Sequence, residues 1–258
     1  LDRVIYLDPD LASTCREYLG RDVLKNHVEF SINPFDVDLK SLKETEFMTE
    51  HISAAFFDLI DSEESAQMMT LIEACVQVLI LKENTSILDL KRFMNDGENG
   101  DLVKFALKNL GGEKLEFIRN RFLSDPKIQQ TKSSIYYRLQ SLLGKQMLVN
   151  CLSGKKTVDI GQAINSGKLL ICNFSKSALG PQGAILLGKL VTSLISGHAI
   201  LRQQIPKKQR KPTFIFMDEF QSYVHPGTTE LLFSEQRKYA TYMFVANQQI
   251  GQGMTPEI

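Results

Sequence analysis

The sequence predicts an α/β fold whose parallel sheet is interrupted by an all-helical insertion. Short β-branched and aromatic runs lie near both ends of the 258-residue chain, and helices alternate with them, an order typical of a parallel sheet. The central stretch, roughly 120 residues, carries apolar side chains at helical spacing instead. We therefore expect residues 1–41 and 165–258 to form the α/β core and residues 42–164 to form the helical domain.

The first core part opens with a predicted strand. Val4–Leu7 is a short apolar run that ends at an Asp-Pro turn, which indicates a buried strand. Leu11–Leu19 can form a short helix, residues 27–30 are a second strand candidate, and residues 33–36 form a turn that ends this part.

The middle part has the helical period. Ser86 is a plausible N-cap with Asp89 three residues later, so a helix should follow through Met94. Further helices are expected at 101–110, 113–123, 128–142 and 158–164. A buried helical face is predicted before them by apolar residues that recur three and four apart: Met68, Leu71, Ile72, Cys75, Val78 and Leu79.

The last part returns to strands and helices. Residues 168–174 and 241–246 have strand composition. Pro181–Leu201 predicts a long helix that is apolar on most sides, and the charged Lys189 within it favours a core helix over a membrane helix. A basic loop exposed to solvent is expected at 203–211, then a strand at 212–217, and a helix at about 229–239.

Composition excludes several classes of protein. Lys and Arg total 30 and Asp and Glu total 30, so the net charge of +0 excludes a polycationic protein that coats nucleic acid. The 43% hydrophobic content excludes a mainly disordered chain. Since no uninterrupted apolar run reaches about 18 residues, we expect no membrane span in these residues. The cysteines and histidines show no metal-ligand spacing, so we expect buried free thiols at Cys15, Cys75, Cys151 and Cys172.

An acidic pair directly after a predicted strand carries the main chemical signal. Asp218 and Glu219 follow the apolar residues 214–217, and the carboxyl edge of a parallel sheet is where ligands bind in open α/β folds. Asp218 could bind a water ligand of Mg²⁺, and Glu219 could orient or deprotonate a water that attacks a γ-phosphate. The same residues also fit a strand that ends at a solvated acidic turn.

Two further polar residues flank the next strand. Gln248 follows it, at the same expected edge, where an amide could sense a γ-phosphate. Arg237 precedes it and could project toward a neighbouring subunit as a finger that stabilises transition-state charge. A loop amide and a solvated helix end with two cations are the alternative interpretations.

These residues also carry a family resemblance. The segments FIFMDEFQSYV and SEQRKYATYMFVANQQIGQ resemble the conjugative coupling ATPases, the TraG/TraD-like proteins of type IV secretion within the HerA/FtsK group of hexameric motors. VIYLDPDL resembles the strand and turn after that family's P-loop helix, without its usual glycine. INPFD resembles the family's NPL-D turn, and LLICNFSKSALGPQGAILLGKLVTSLI resembles the strand and long helix before Walker B. The resemblance covers nearly the whole chain.

The resemblance implies a RecA-like P-loop NTPase core, an inserted all-α domain, and ATP and Mg²⁺ as cofactors. Asp218 would be the Walker B acid, linked to Mg²⁺ through water, and Glu219 the catalytic carboxylate. Gln248 matches the sensor glutamine and Arg237 the arginine finger, while Asp8 would lie near the same nucleotide site.

The resemblance also implies partners and a location. We expect DNA (single-stranded, double-stranded or relaxase-bound) and secretion-apparatus proteins as partners, a homo-hexamer for the full-length protein, and a place at the cytoplasmic face of the inner membrane. Two alternatives stay open. One is a sibling type IV secretion ATPase that acts on protein substrates or apparatus assembly, and the other is a non-catalytic interaction module without a P-loop.

One expected motif does not occur in the sequence. The pattern G-x-x-x-x-G-K-[ST] is absent from the 258 residues, and Ser153-Gly154-Lys155-Lys156 lacks both the upstream glycine and the Ser or Thr after the lysine. In the resembled family this element lies just before the segment that matches residues 3–8. We therefore expect the chain to begin downstream of it, and these residues alone to bind ATP poorly and hydrolyse none.

Overall fold

A computed structural model describes residues 4–20, 31–60, 66–154, 158–217, 222–223 and 236–246. The chain divides into two compact units, one formed by Leu1–Phe30 with Thr157–Ile258 and the other by Ser31–Lys156. In chain order the described elements are β1 (Val4–Leu7), α1 (Leu11–Leu19), α2 (Leu42–Ile60), α3 (Ala66–Leu81), α4 (Ile87–Phe93), α5 (Gly100–Asn109), α6 (Gly112–Asn120), α7 (Pro126–Leu142), α8 (Gln146–Ser153), α9 (Ile160–Asn165), β2 (Leu169–Cys172), α10 (Lys176–Leu179), α11 (Pro181–Leu201), β3 (Thr213–Met217) and β4 (Thr241–Val245), with 3₁₀ turns at Arg202–Gln204, Lys207–Gln209 and Gln236–Tyr239.

The α/β unit contains two parallel pairs of strands. β1 pairs with β2 across more than 160 residues of sequence, from Val4 beside Leu169 to Leu7 beside Cys172. β3 pairs with β4 from Thr213 beside Thr241 to Met217 beside Val245. Parallel strands need a crossover between them, and the first pair is connected through the whole helical unit.

Helix α11 forms the core of the α/β unit. The helix begins at Pro181, a favourable position for proline because the backbone N–H groups of the first turn have no acceptor within the helix. Pro181–Gln204 is long and apolar enough to cross a membrane, but most of it is buried within the protein. That burial agrees with a core helix.

The strands are less buried than the sequence indicated. Val4, Tyr6 and Ile171 are exposed on the first pair, and Phe216 on the second pair is 72% exposed. Side chains alternate between the two faces of a strand. On β3 and β4 the alternate residues Met217, Met243 and Val245 pack into the hydrophobic core, so among the described residues the opposite face is exposed.

The helical unit is built as the sequence period predicts. α3 buries Leu71, Ile72, Cys75 and Leu79, among others. Ser86 caps α4 by accepting a hydrogen bond from the Leu88 nitrogen, and the Asp89 side chain accepts one from the Ser86 nitrogen, which completes a capping box.

The boundaries of the two units differ from those expected at 41/42 and 164/165. Residues 31–41 belong to the helical unit because the Ile32 nitrogen donates to the Cys151 carbonyl at 2.8 Å and Asn33 Nδ2 donates to the Thr85 carbonyl at 2.6 Å. α9 belongs to the α/β unit because it packs against α11, where Gly161 leaves no room for a Cβ beside the His198 ring.

None of the four described cysteines forms a disulfide. Cys75 and Cys151 are buried, Cys15 is half-buried and Cys172 is exposed at the end of β2, so the expectation of four buried thiols was wrong. The strand candidate at 27–30 lies outside the described residues. Of the helix expected at 229–239, the described part is the 3₁₀ turn Gln236–Tyr239.

Candidate functional site

The carboxyl ends of β3 and β4 lie side by side. The Ala246 nitrogen donates to the carbonyl of Met217, the last residue of β3, at 2.9 Å, which extends the parallel pairing one residue past the end of β4. The residues that follow in sequence are Asp218 and Glu219 after β3 and Gln248 after β4. These three predicted site residues lie outside the described residues, but the strand ends that lead into them are adjacent.

β2 and β3 flank a groove. The Lys211 ammonium, just before β3, donates to the Ser166 carbonyl, just before β2, at 3.2 Å, so the two strands start close together. All of β2 and all of β3 then line one groove of about 460 Å³, together with four residues of α11. The carboxyl ends of β2 and β3 therefore lie at the same edge of the unit.

Asp8 lies at this carboxyl edge and is fully engaged by hydrogen bonds. Only 5% of the residue is exposed. One oxygen accepts from the Asp10 nitrogen at 2.9 Å. The other accepts from Thr14 Oγ1 at 2.6 Å, Asn173 Nδ2 at 3.0 Å and the Tyr6 hydroxyl at 3.3 Å. The carboxylate thus ties the end of β1 to α1 and to the residue after β2, a role that sequence reasoning missed.

Tyr6 is held as a neutral donor at this cluster. Tyr6 is exposed, but partial burial of its hydroxyl raises its pKa. The adjacent Asp8 carboxylate adds to the rise, while a hydrogen bond from Asn173 opposes it. The phenol therefore keeps its proton in the neutral pH range and donates it to Asp8. The cluster presents an amide and a phenol at the rim of the sheet.

Tyr223, four residues after Glu219, is anchored on α11. A Cβ built on Gly188 would lie 2.2 Å from Cδ1 of Tyr223, so the aromatic ring lies directly against the helix backbone. Glycine in the middle of a helix costs about 1 kcal/mol relative to alanine, and this close approach is a reason to keep it. The contact fixes a point of the chain shortly after the acidic pair.

Arg237 lies at the opposite edge of the sheet. It is exposed on the 3₁₀ turn Gln236–Tyr239, immediately before β4 begins. Since a strand rises about 3.3 Å per residue, the five residues of β4 separate this turn from the carboxyl edge by about 16 Å. The structure therefore does not bring Arg237 together with Asp8 or with the strand ends that precede the acidic pair.

The described residues contain no candidate metal site. In the ranges that the structure covers, no group of three or more His, Cys, Asp or Glu side chains could hold a metal ion. The predicted Mg²⁺-linked acid, Asp218, lies outside those ranges. The residue types at the carboxyl edge, carboxylates and amides, are those that Mg²⁺ and phosphate chemistry use.

The fold matches solved structures although no family model and no curated sequence matches the chain. One is the bacterial conjugative coupling protein TrwBdeltaN70 in an unbound form, with a TM-score of 0.57, 11% identity, and coverage of 95% of this chain. Another is the plasmid coupling protein TrwB in complex with the non-hydrolysable GTP analogue GDPNP, with a TM-score of 0.58, 10% identity and 95% coverage.

The match defines the class of fold. The chain is an α/β protein with an all-helical insertion, as the sequence predicted, and it shares its fold with these two coupling-protein structures. The chain spans about half the length of the two coupling-protein structures, 51% and 52%.

Proposed function

We propose that these residues form part of a motor ATPase that couples ATP hydrolysis to the transfer of DNA in conjugation or type IV secretion. The observation that carries the proposal is the parallel, in-register β3–β4 pair. Asp218 follows β3 and Gln248 follows β4 in the sequence. The coupling-protein fold over 95% of the chain supports it. So does the GTP analogue bound to one of the matched proteins.

In this proposal the carboxyl edge is the hydrolytic site. Mg²⁺-bound ATP would supply the γ-phosphoryl group and the free energy. Asp218 would hold the Mg²⁺ ion through a water, and Glu219 would orient the attacking water and take its proton. Gln248 would bind the γ-phosphate through its amide. The Asp8 cluster stiffens the same edge by fixing the end of β1.

Arg237 acts on the site of a neighbouring subunit. Its place at the amino edge of β4, about 16 Å from the carboxyl edge of its own sheet, supports a role in trans rather than in cis. An arginine finger in trans makes hydrolysis depend on assembly into a homo-oligomer, a hexamer by the family resemblance. Mixing Arg237→Ala subunits with Glu219→Gln subunits tests this, because their mixed interfaces restore one complete site. Absence of any rescue would argue against the trans finger.

DNA as the transported substrate is tested by stimulation of turnover. The intact protein should hydrolyse ATP faster when DNA is added at low salt, and the stimulation should weaken as salt rises, because phosphate contacts release counterions. Turnover that responds to secretion substrates of protein but not to DNA would favour the sibling secretion ATPase. An intact protein that binds no ATP would favour the non-catalytic interaction module.

A further inference from the structure

The turn that carries Arg237 is held by two other arginines. The guanidinium of Arg210 donates from Nη1 to the Lys238 carbonyl at 2.7 Å and lies 5.5 Å from the centre of the Tyr239 ring. Its remaining donors bind the Ile205 carbonyl at 2.7 Å and the Gln203 carbonyl at 3.3 Å. Arg210 therefore joins the loop before β3 to the turn before β4.

Arg202 binds the residues at the end of the same turn. It is 1% exposed, and its Nη1 donates to the carbonyls of Tyr239 and Ala240 at 3.2 and 3.4 Å. Nη2 donates to Thr213 Oγ1 and to the Ile164 carbonyl, each at 2.7 Å. A single buried side chain thus binds the end of α9, the start of β3 and the turn before β4.

The acceptors around Arg202 are neutral. They are backbone carbonyls, threonine hydroxyls and the Asn165 amide oxygen at 2.9 Å. Burial lowers the pKa of Arg202, and the charge of Arg210 adds to that effect. A buried cation is stabilised only when its donors are satisfied, so these acceptors have to stay in place, and the turn with them.

The turn is also strained. Ala240 has a φ of 59°, a left-handed conformation that is unfavourable for a residue other than glycine. Its nitrogen donates to the Arg237 carbonyl at 3.2 Å, and its carbonyl accepts from the Thr213 nitrogen at 2.9 Å. Backbone strain of this kind persists only where surrounding contacts hold the residue in place, and it is concentrated at functional sites.

We infer that Arg210 and Arg202 are positioning residues that fix the Gln236–Tyr239 turn and so present Arg237 outward to a neighbouring subunit. The inference rests on the proposed function, in which Arg237 acts in trans. Sequence reasoning assigned the basic loop at 203–211 to solvent, whereas Arg210 in that loop uses its guanidinium to bind three backbone carbonyls.

Arg210 is the residue to test because it is only half-buried, so its removal spares the core. In the intact protein Arg210→Ala should speed tryptic cleavage after Arg237 and Lys238 about tenfold. Without Arg210 the turn can open locally without breaking the charge-assisted hydrogen bond to the Lys238 carbonyl, so the open, cleavable form becomes more populated. ATP turnover of the assembled protein should fall. Lys208→Ala, which removes an exposed cation from the same loop, is the control and should change neither quantity.

A double-mutant cycle separates positioning from a general structural role. If Arg210 acts through Arg237, Arg210→Ala should lower turnover no further in an Arg237→Ala background. A wild-type rate of tryptic cleavage in Arg210→Ala, or additive losses of turnover in the double mutant, would overturn the inference. Unchanged turnover in Arg237→Ala alone would instead remove the finger from the proposed function, and the cleavage rates would still report whether Arg210 holds the turn.

Discussion

The Ala246 nitrogen donates a 2.9 Å hydrogen bond to the Met217 carbonyl. This bond extends the parallel pairing of β3 and β4 to the point where each strand ends. The bond brings together the ends of two strands that lie almost 30 residues apart in sequence, and Asp218, Glu219 and Gln248 follow those ends in the sequence.

Thr14→Val should destabilise the Asp8 cluster. The substitution keeps the shape of the side chain but removes the 2.6 Å hydrogen bond to a carboxylate that is 5% exposed. We expect the free energy of unfolding to fall by about 1–3 kcal/mol, measured by urea denaturation. Ser13→Ala, one residue away, should change it by less than about 0.5 kcal/mol. Equal effects of the two variants would refute the assigned role of Thr14.

Gly188→Ala should displace Tyr223. Alanine favours a helix interior over glycine by about 1 kcal/mol, but its Cβ would lie 2.2 Å from the Tyr223 ring. We therefore expect a lower melting temperature for the single variant and a restored one when Tyr223→Ala is added. Gly100→Ala, where a Cβ meets no atom within 4 Å, is the matched control. An unchanged melting temperature for Gly188→Ala would argue against the close contact.

His51 should make the helical unit sensitive to acid. Its Nδ1 donates to the Phe47 carbonyl at 3.1 Å, and its Nε2 is buried without a hydrogen-bond partner among the described residues. Burial lowers the pKa of the imidazole from 6.5. The unfolded imidazole therefore takes up a proton that the folded one resists. Stability is complete above about pH 6.5 and decreases as the pH falls toward the lowered pKa. Urea denaturation at pH 7 and pH 5 should show this loss, and His51→Leu should reduce it. An identical loss in the variant would contradict the assignment.

Asp96→Ala should be one of the most damaging changes in the helical unit. The Lys132 ammonium forms an ion pair with Asp96 and lies 4.1 Å from the centre of the Phe122 ring. Lys132 is only 1% exposed. Removing the carboxylate leaves a buried charge without its counter-ion, which costs about 3–5 kcal/mol. Adding Lys132→Met should recover most of that loss in a denaturant titration. Additive losses in the double variant would mean that the pair is not coupled.

Local signals predicted the local structure well. The bounds of α1 and α11 follow from their sequence alone, and the Ser86 cap with Asp89 was recognisable because its two halves are three residues apart. The pattern of apolar residues on α3 indicated its buried residues for the same reason. In each case the interactions that decide the structure lie within one or two helical turns.

Long-range contacts could not be predicted in this way. Arg202 lies after an apolar helix and before two glutamines, which is typical of a solvated helix end, yet its partners include Ile164 and Ala240, 38 residues away on either side. Asn173 reaches Asp8 across 165 residues. The turn at 33–36 joined the helical unit through Asn33 and Thr85, a bond that nothing in the local sequence indicates.

The most direct test of the central claim is ATP turnover by the intact protein carrying Glu219→Gln, with ATP binding measured in parallel. The amide keeps the shape of the carboxylate but cannot take a proton from water, so turnover should fall by on the order of 10²–10⁴-fold while ATP binding is retained. Glu113→Gln, an exposed residue of the helical unit, should leave both unchanged. Wild-type turnover in Glu219→Gln would contradict the hydrolytic site proposed at the ends of β3 and β4.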